Sequence, residues 1–168
     1  MILPISTEPK PILHQTTDQI KEITPEIRQL ALDMRETMHN AQGIGLAAPQ
    51  VGKSISLLVF EVEDKEDPEY SIPFMGLINP RITWKSTQQE DMIEACLSIP
   101  GLEANVRRAS KVRVKGQNLE GEVIQISADG LLARILQHEI DHLNGILFTS
   151  YVTKKQLKVR PLVDYPRI

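Results

Sequence analysis

The sequence predicts an α+β fold in which two helices enclose a series of strands. Three observations predict it: helical spacing of apolar residues near residue 30, short apolar or alternating runs in the middle of the chain, and a second helical pattern near residue 135. The order helix, strands, helix argues against a repeating βαβ sheet. The chain has 168 residues, no internal repeat and no Gly/Ser-rich linker, so we expect residues 1–168 to form a single domain with a short basic C-terminal tail from about residue 154.

The first helix is expected to begin after Thr24, a good N-cap residue, with Pro25 at its first position. The helix should fray near Asn40. Its apolar residues recur at helical spacing and would form one face: Ile27, Leu30, Ala31, Met34 and Met38.

The middle of the chain predicts strands. Residues 55–62 are an apolar run short enough for a buried strand, and residues 74–84 predict a strand that Asn79-Pro80 interrupts at an edge or a bulge. Residues 111–115 and 122–127 alternate in polarity and predict a β-hairpin with a longer loop.

The second helix is the clearest element, capped by Asp129 and closed by Asn144-Gly145. Four of its residues share a face at i, i+4, i+7 and i+11: Leu131, Ile135, His138 and His142. Leu132, Leu136 and Leu143 broaden that face toward the core.

Residues 138–142 read His-Glu-Ile-Asp-His. On a helix, His138 and His142 lie one turn apart and can bind one metal ion together, while Glu139 lies near that ion without having to ligate it. This is the arrangement of a base acting on water held by a metal. The alternative is a pair of core histidines bound to backbone carbonyls, and the complete H-E-x-x-H pattern favours the metal.

A catalytic metal site of this type usually has three protein ligands and one open position. Common metalloprotease patterns supply the third ligand downstream as Glu or His, and residues 143–168 contain neither. The soft upstream candidates are His14, His39 and Cys96. A lone cysteine is most often a small buried hydrophobe, but beside an incomplete two-histidine site Cys96 becomes a favoured ligand.

Residues 43–50 are small and apolar and end in Gln50, which could donate an N–H to a developing oxyanion or could simply be solvated after a turn. Residues 94–101 place Cys96 in an apolar stretch that ends in a Pro-Gly turn, as a strand running into a turn would.

Composition limits the function classes. The formal net charge is −3, which disfavours a general nucleic-acid binder such as a DNA-binding protein. A single cysteine excludes an internal disulfide framework and suits a reducing compartment. The N-terminus lacks signal-peptide features and no apolar run could span a bilayer, so we expect a cytoplasmic protein without a membrane partner.

Three motifs in order resemble those of the peptide deformylase family: G-φ-G-L-A-A-x-Q at residues 43–50, E-G-C-L-S met as E-A-C-L-S at residues 94–98, and Q-H-E-x-D-H at residues 137–142. The similarity runs to about residue 153. It implies antiparallel strands packed around a central helix that carries H-E-x-x-H, and removal of the formyl group from the initiator methionine of nascent chains.

The resemblance also implies residue roles. Cys96, His138 and His142 would bind one divalent metal ion, with Fe²⁺ the expected native ion and Zn²⁺, Ni²⁺ or Co²⁺ as substitutes. Glu139 would be the general base and then the acid. Two groups would hold the oxyanion, the Gln50 side chain and the Leu97 backbone N–H. The substrate would contact Ile44 and Gly45 in strand fashion and would also meet Ala95, Leu131 and Ile135.

The sequence departs from the family pattern at Ala95, where glycine is usual, and at Glu103. A methyl group at Ala95 could narrow the cleft, or strain the turn if that position needs a positive φ. Arg108 is expected to pair with an acidic group behind the site, such as Asp141. The basic tail allows transient contact with the ribosome, although Pro161 and Pro166 exclude a long regular helix there.

Two other functions stay open on the sequence alone. The hypothesis of a zinc endopeptidase is weakened by the absence of a downstream metal ligand. The hypothesis of a deformylase-like binding protein, with activity reduced by Ala95, is weakened by the presence of Glu139, because a binding protein needs no water-activating carboxylate.

Overall fold

The fold is described from a computed structural model, for residues 1–160. Two α-helices are α1 (Pro25–Asn40) and α2 (Gly130–Leu143). The strands of this part of the chain are β1 (Gly45–Ala47), β2 (Leu57–Val62), β3 (Ile72–Lys85), β4 (Gln89–Cys96), β5 (Ile99–Ala109), β6 (Lys111–Gln117), β7 (Val123–Asp129) and β8 (Lys158–Val159). Short 3₁₀ helices occupy Pro11–His14, Ala48–Val51, Pro68–Tyr70 and Phe148–Tyr151.

The strands form two antiparallel sheets. The larger has the order β1-β2-β3-β6-β7 and the smaller the order β4-β5-β8. Neighbouring strands in the larger sheet follow one another along the chain except at the step from β3 to β6, where the β4–β5 hairpin is inserted. That insertion carries the end of β4, and with it Cys96, toward α2.

Helix α2 lies at the centre of the fold. Ten of its side chains are buried, including four that bear a charge or an imidazole: Ala133, Arg134, Ile135, Leu136, Gln137, His138, Glu139, Ile140, His142 and Leu143. Ile135, Leu136 and Ile140 pack against the inner residues of β2, β3 and β6 in one core cluster. A second cluster joins α1 to the other face of β2, and a third joins β5 to the Phe148 turn. The expected α+β architecture around a central helix is therefore confirmed.

Both predicted helices form, with one difference at α2. Thr24 caps α1 through its side chain, which accepts a hydrogen bond from the N–H of Ile27. Asp129 occupies the N-cap position of α2, but its side chain makes no capping hydrogen bond. The expectation of a side-chain cap there is wrong, and Gly130, with φ of 52°, makes the turn from β7 into the helix instead.

The predicted hairpin is confirmed as β6 and β7, which pair from Lys111↔Asp129 to Gln117↔Val123. The Asn79-Pro80 interruption is a bulge within β3, where Asn79 has a φ of 51° and the register shifts. Strand β3 is central in its sheet, so the bulge and not an edge accommodates the proline. The long β4–β5 hairpin was not predicted beyond residues 94–101.

Part of the basic tail is ordered against the small sheet, since Lys158 and Val159 of β8 pair with Glu103 and Leu102. Pro161 and Pro166 lie outside the described residues. No helix within residues 1–160 is both long enough and apolar enough to cross a membrane.

Candidate metal centre and active site

One potential ligand atom from each of Cys96, His138 and His142 lies within 4.8 Å of the other two, and all three side chains are buried. The two histidines are one turn apart on α2, and Cys96 ends β4. Sγ of Cys96 is 3.3 Å from Nε2 of His142. Of the upstream candidates, the structure thus brings Cys96 to the histidine pair.

The other two histidines lie elsewhere. His14 pairs with Glu8 and His39 with Glu61, and both imidazoles are about half exposed. Neither belongs to the Cys-His-His group that the described residues form.

The donor set fits a divalent transition-metal ion. Nε2 of His138 is buried without a hydrogen-bond partner within residues 1–160, although burial of an unpaired polar atom is costly. Nδ1 of the same ring is 2.7 Å from Oε1 of Glu94, which directs the unpartnered Nε2 toward Cys96 and His142. Thiolate and imidazole together suit zinc or ferrous iron.

The two imidazoles differ electrostatically. Burial, followed by the charges of His138 and Arg108, lowers the pKa of His142 well below its ordinary value, so this ring is neutral. Burial also acts to lower the pKa of His138, but the neighbouring side chains of Cys96 and Glu94 outweigh it and raise that pKa to about 10. A cation on Nε2 of His138 must therefore displace a proton, as metal binding to imidazole generally does.

Glu94 is the centre of a buried ionic network. Its carboxylate accepts hydrogen bonds from Nε and Nη2 of Arg108, at 2.6 and 2.9 Å, and from Nη1 of Arg134, at 2.7 Å. Burial alone would raise the pKa of Glu94, but Arg108 and His138 hold it well below its usual range. Glu94 therefore stays ionised and fixes the ring of His138.

The predicted pairing of Arg108 with Asp141 is present, at 2.6 Å. Asp141 also accepts a hydrogen bond from the hydroxyl of Tyr151 at 2.8 Å, and the Tyr151 ring stacks on the Arg108 guanidinium. These contacts cover the solvent side of the network.

Glu139 lies beside the ligand group and is completely buried, and neither of its carboxylate oxygens has a hydrogen-bond partner within residues 1–160. Burial is the main reason that its pKa rises to about 7. The carboxylate fits there because residue 45 is glycine: a Cβ built on Gly45 would lie 2.9 Å from Cδ of Glu139 and would clash with Oε1. An unpaired carboxylate with that pKa can both accept and release a proton near neutral pH.

Gln50 and Leu97 reach the same centre from two other segments. Gln50 is buried in the 3₁₀ turn after β1, where its Oε1 accepts from the N–H of Ala47 at 2.8 Å. That bond directs Nε2 toward Oγ of Ser98, at 3.2 Å, and Sγ of Cys96, at 3.6 Å. Leu97 forms the turn between β4 and β5, and no hydrogen bond of the described residues uses its N–H.

The expected substrate-contact residues differ in their access to solvent. Ile44 and Gly45 lie at or beside β1, which in residues 1–160 pairs only with β2 and forms an edge of the large sheet. Leu131, in the first turn of α2, is 36% exposed. Ile135 is fully buried in the main core, so it could support a pocket wall only from behind.

Ala95 lies in β4, opposite Glu103, and is not among the described residues with a positive φ. The condition for a strained turn at Ala95, a positive φ, is therefore not met, because this position has extended strand backbone. A narrower cleft remains a prediction.

The roles of Glu94 and Arg134 and the bidentate pairing of Arg108 with Glu94 were not predicted from the sequence. Spacing along the sequence could have indicated two of these residues, Glu94 and Arg134. Glu94 precedes Cys96 by two residues, so both share a face of β4, and Arg134 precedes His138 by one helical turn.

Comparisons with known proteins agree with this site. Residues 2–158 match the model of the family described as polypeptide deformylase. A peptide deformylase of Acinetobacter baumannii (strain SDF) is 45% identical over 165 residues, which is 97% of this chain and 90% of that protein.

Solved structures also resemble this chain. A peptide deformylase of Synechococcus elongatus in complex with actinonin superposes with a TM-score of 0.84 and 40% identity, over 91% of this chain and 80% of that one. A Met-Ala-Ser-bound class I type b peptide deformylase of Acinetobacter baumannii has a TM-score of 0.85 and 33% identity, over 90% of this chain and 99% of that one. From the ligand geometry and these matches together, this chain belongs to the polypeptide deformylase family.

Proposed function

We propose that this protein hydrolyses the formamide bond at the N-terminal formylmethionine of nascent polypeptides and releases formate. One observation carries the proposal. Three buried ligand atoms, from Cys96, His138 and His142, converge beside a buried carboxylate, Glu139, that has no hydrogen-bond partner within residues 1–160. The reaction is inferred from family membership, and this arrangement contains the groups that the reaction needs.

Cys96, His138 and His142 would hold one divalent cation, Fe²⁺ as the native ion, with Zn²⁺, Ni²⁺ or Co²⁺ as substitutes. When bound, such a cation polarises a carbonyl and brings the pKa of a coordinated water down to roughly 7. Three protein ligands leave one coordination position open, which is typical of catalytic and not of structural sites.

Glu139 would take the proton from the attacking water and deliver it to the leaving amine. Its raised pKa, about 7, suits both steps. The formyl C–N bond then breaks, with formate leaving as one product and the methionine amine as the other.

Gln50 and the backbone N–H of Leu97 would donate hydrogen bonds to the oxyanion that forms when the formyl carbon becomes tetrahedral. Both donors come from segments fixed by the fold. The Gln50 amide is held by the N–H of Ala47, and Leu97 lies in a tight turn between two paired strands.

The substrate backbone would pair with the β1 edge at Ile44 and Gly45, as an added antiparallel strand does. Leu131 would contact the methionine side chain, with Ile135 supporting that wall from the core. Ala95 would face the same cleft and narrow it by one methyl group compared with glycine.

Two earlier alternatives are disfavoured. A zinc endopeptidase and a deformylase-like binding protein with reduced activity both lack support from the family match, which covers residues 2–158. We also propose action in the cytoplasm, where nascent chains are made. Transient ribosome contact through residues 154–168 stays a proposal, and co-sedimentation of the full chain and of a chain shortened to residue 153 would test it.

The proposed function is tested by purifying the protein without oxygen, measuring its metal content, and assaying formate release from formyl-Met-Ala-Ser. We expect about one metal ion per chain and release of formate. The unformylated peptide Met-Ala-Ser is the control and should remain uncleaved. Cleavage of Met-Ala-Ser would indicate an endopeptidase, and metal binding without formate release would indicate a binding protein.

A further inference from the structure

The outer face of the large sheet carries a cluster of cations far from the ligand group. The register of β3, β6 and β7 places Arg81 opposite Lys115, Trp84 opposite Arg113, and Lys111 opposite Asp129. The intervening residues Val112 and Val114 are buried against α2, so the cations project from the opposite side of the sheet. Arg81, Lys111, Arg113 and Lys115 are all exposed, and we call them together with Trp84 the basic face.

Within residues 1–160, the cations of the basic face have no carboxylate partner. No ion pair within residues 1–160 involves any of the four. Four other arginines differ, since each binds a carboxylate: Arg35, Arg107, Arg108 and Arg134. In the described strand pairs, Asp129 is the one acid opposite a cation of the face. The face is therefore locally basic although the chain has a net charge of −3.

An aromatic ring lies among these cations. Trp84 is 45% exposed, and the Arg113 guanidinium carbon lies 5.1 Å from the centre of its ring. Trp84 also lines a cavity of about 300 Å³ with Lys111, Arg113, Ser127 and Asp129. A basic surface with an exposed aromatic ring in a shallow depression is the combination that binds phosphates and stacks a base.

We propose that the basic face binds a single-stranded segment of RNA, with phosphates against the four cations and one base stacked on Trp84. Ser127 and Gln125 project from β7 beside Arg113 and Lys115, where a hydroxyl and an amide can meet ribose 2′-hydroxyls. An anionic membrane fits less well, because membrane binding needs protruding apolar side chains and the ring of Trp84 is half buried in a depression.

The proposed RNA surface is separate from the deformylase site. Strand β1, which carries Gly45, is at one edge of the sheet and β7 is at the other, and strand β2 separates β1 from β3 and β6, which carry the basic face. Helix α2 packs on the inner side. RNA binding can therefore be measured, and removed, independently of formate release.

Trp84 provides a direct test because it is the only tryptophan in the chain. Titration with an unlabelled 12-nucleotide single-stranded RNA at about 50 mM salt should quench its fluorescence. Four phosphate contacts would make the logarithm of the association constant fall against the logarithm of salt with a slope of about −3. DNA of the same sequence should bind more weakly, and vesicles with anionic lipid should leave the fluorescence unchanged.

Variants test the contribution of individual residues to RNA affinity, which is measured by the fluorescence anisotropy of a labelled RNA. The double variant R113Q/K115Q should lose roughly half of the salt dependence and bind at least ten-fold more weakly. K21Q/K65Q, which removes two exposed lysines outside the basic face, is the matched control and should bind as the parent does. W84A should weaken binding about five-fold or more, and W84F should restore part of the loss.

Four results would overturn the proposal: equal losses in the two double variants, anisotropy changes without quenching of Trp84, equal affinity for DNA, or quenching by anionic vesicles. Formate release should stay at the parental rate in every variant. That readout separates failure of the RNA surface from failure of the proposed enzyme function.

Discussion

Oε1 of Glu94 lies 2.7 Å from Nδ1 of His138, and both side chains are buried. Because the Glu94 carboxylate stays ionised, Nδ1 of His138 donates its proton to Glu94, and Nε2 is the nitrogen whose proton a metal ion would displace. The relationship joins the small sheet to α2, and the rest of the site is arranged around it.

Glu94→Gln is therefore expected to weaken metal affinity by about 10- to 100-fold, because it removes the charge that orients His138. It should also lower the free energy of unfolding by about 3 kcal/mol or more, since two buried arginines lose their anion. Competition with a chelator measures the affinity. Asp91→Asn, which breaks an exposed pair with Arg107 on the same hairpin, is the control and should change neither quantity appreciably. An unchanged metal affinity in E94Q would remove Glu94 from the positioning role.

Gly45→Ala is expected to slow formate release by about 10²-fold while the metal is retained. The added Cβ would collide with the Glu139 carboxylate, and a displacement near 1 Å of a reacting group costs activity of that order. Gly76→Ala is a matched control on β3, because its Cβ meets the Leu119 side chain, which lies away from the ligand group. Equal rates of formate release in G45A and G76A would show that activity does not depend on the space that Gly45 leaves beside Glu139.

Gln50→Leu is expected to fold and keep its metal but to lose about 10²–10³-fold in turnover, the usual effect of removing one oxyanion donor. Some loss of thermal stability should accompany it, because the N–H of Ala47 loses its acceptor. Ser98→Ala tests the neighbouring contact and should slow turnover far less, since it leaves the Gln50 amide in place. Parental turnover in Q50L would exclude Gln50 from the reaction.

Ala95→Gly is expected to leave formate release within about two-fold of the parent. The backbone at Ala95 is extended, so no strain is relieved, and glycine within a strand should lower the free energy of unfolding by roughly 0.5–1 kcal/mol. Steady-state rates with formyl-Met-Ala-Ser measure the first quantity and denaturant unfolding the second. A gain of ten-fold or more would instead show that the Ala95 methyl group obstructs the substrate.

The sequence predicted both helices because their signals are local. Thr24 and Pro25 define the start of α1, and the spacing of His138 and His142 is fixed by the helix itself. The central strand β3 was found despite Asn79-Pro80, because a proline in a sheet requires a bulge or an edge.

The remaining features depend on contacts between distant segments. The β4–β5 hairpin carries exposed charges at residues 90, 91 and 107, and its polarity alternates only in part. Its pairing therefore depends on the core that it packs against. The Glu94 network joins residues 40 apart in sequence, and no local pattern shows that a buried glutamate has arginines from two other elements. The room that Gly45 leaves for Glu139 is likewise visible only when β1 and α2 are packed together.

Glu139→Gln offers the most direct measurement of the central claim, that Glu139 moves the proton at a metal held by Cys96, His138 and His142. Metal content and formate release from formyl-Met-Ala-Ser are measured on the same purified sample of the variant and of the parent. We predict about one metal ion per chain in both proteins and a loss of at least 10²-fold in turnover for the variant. Near-parental turnover in the metal-loaded variant would contradict the account.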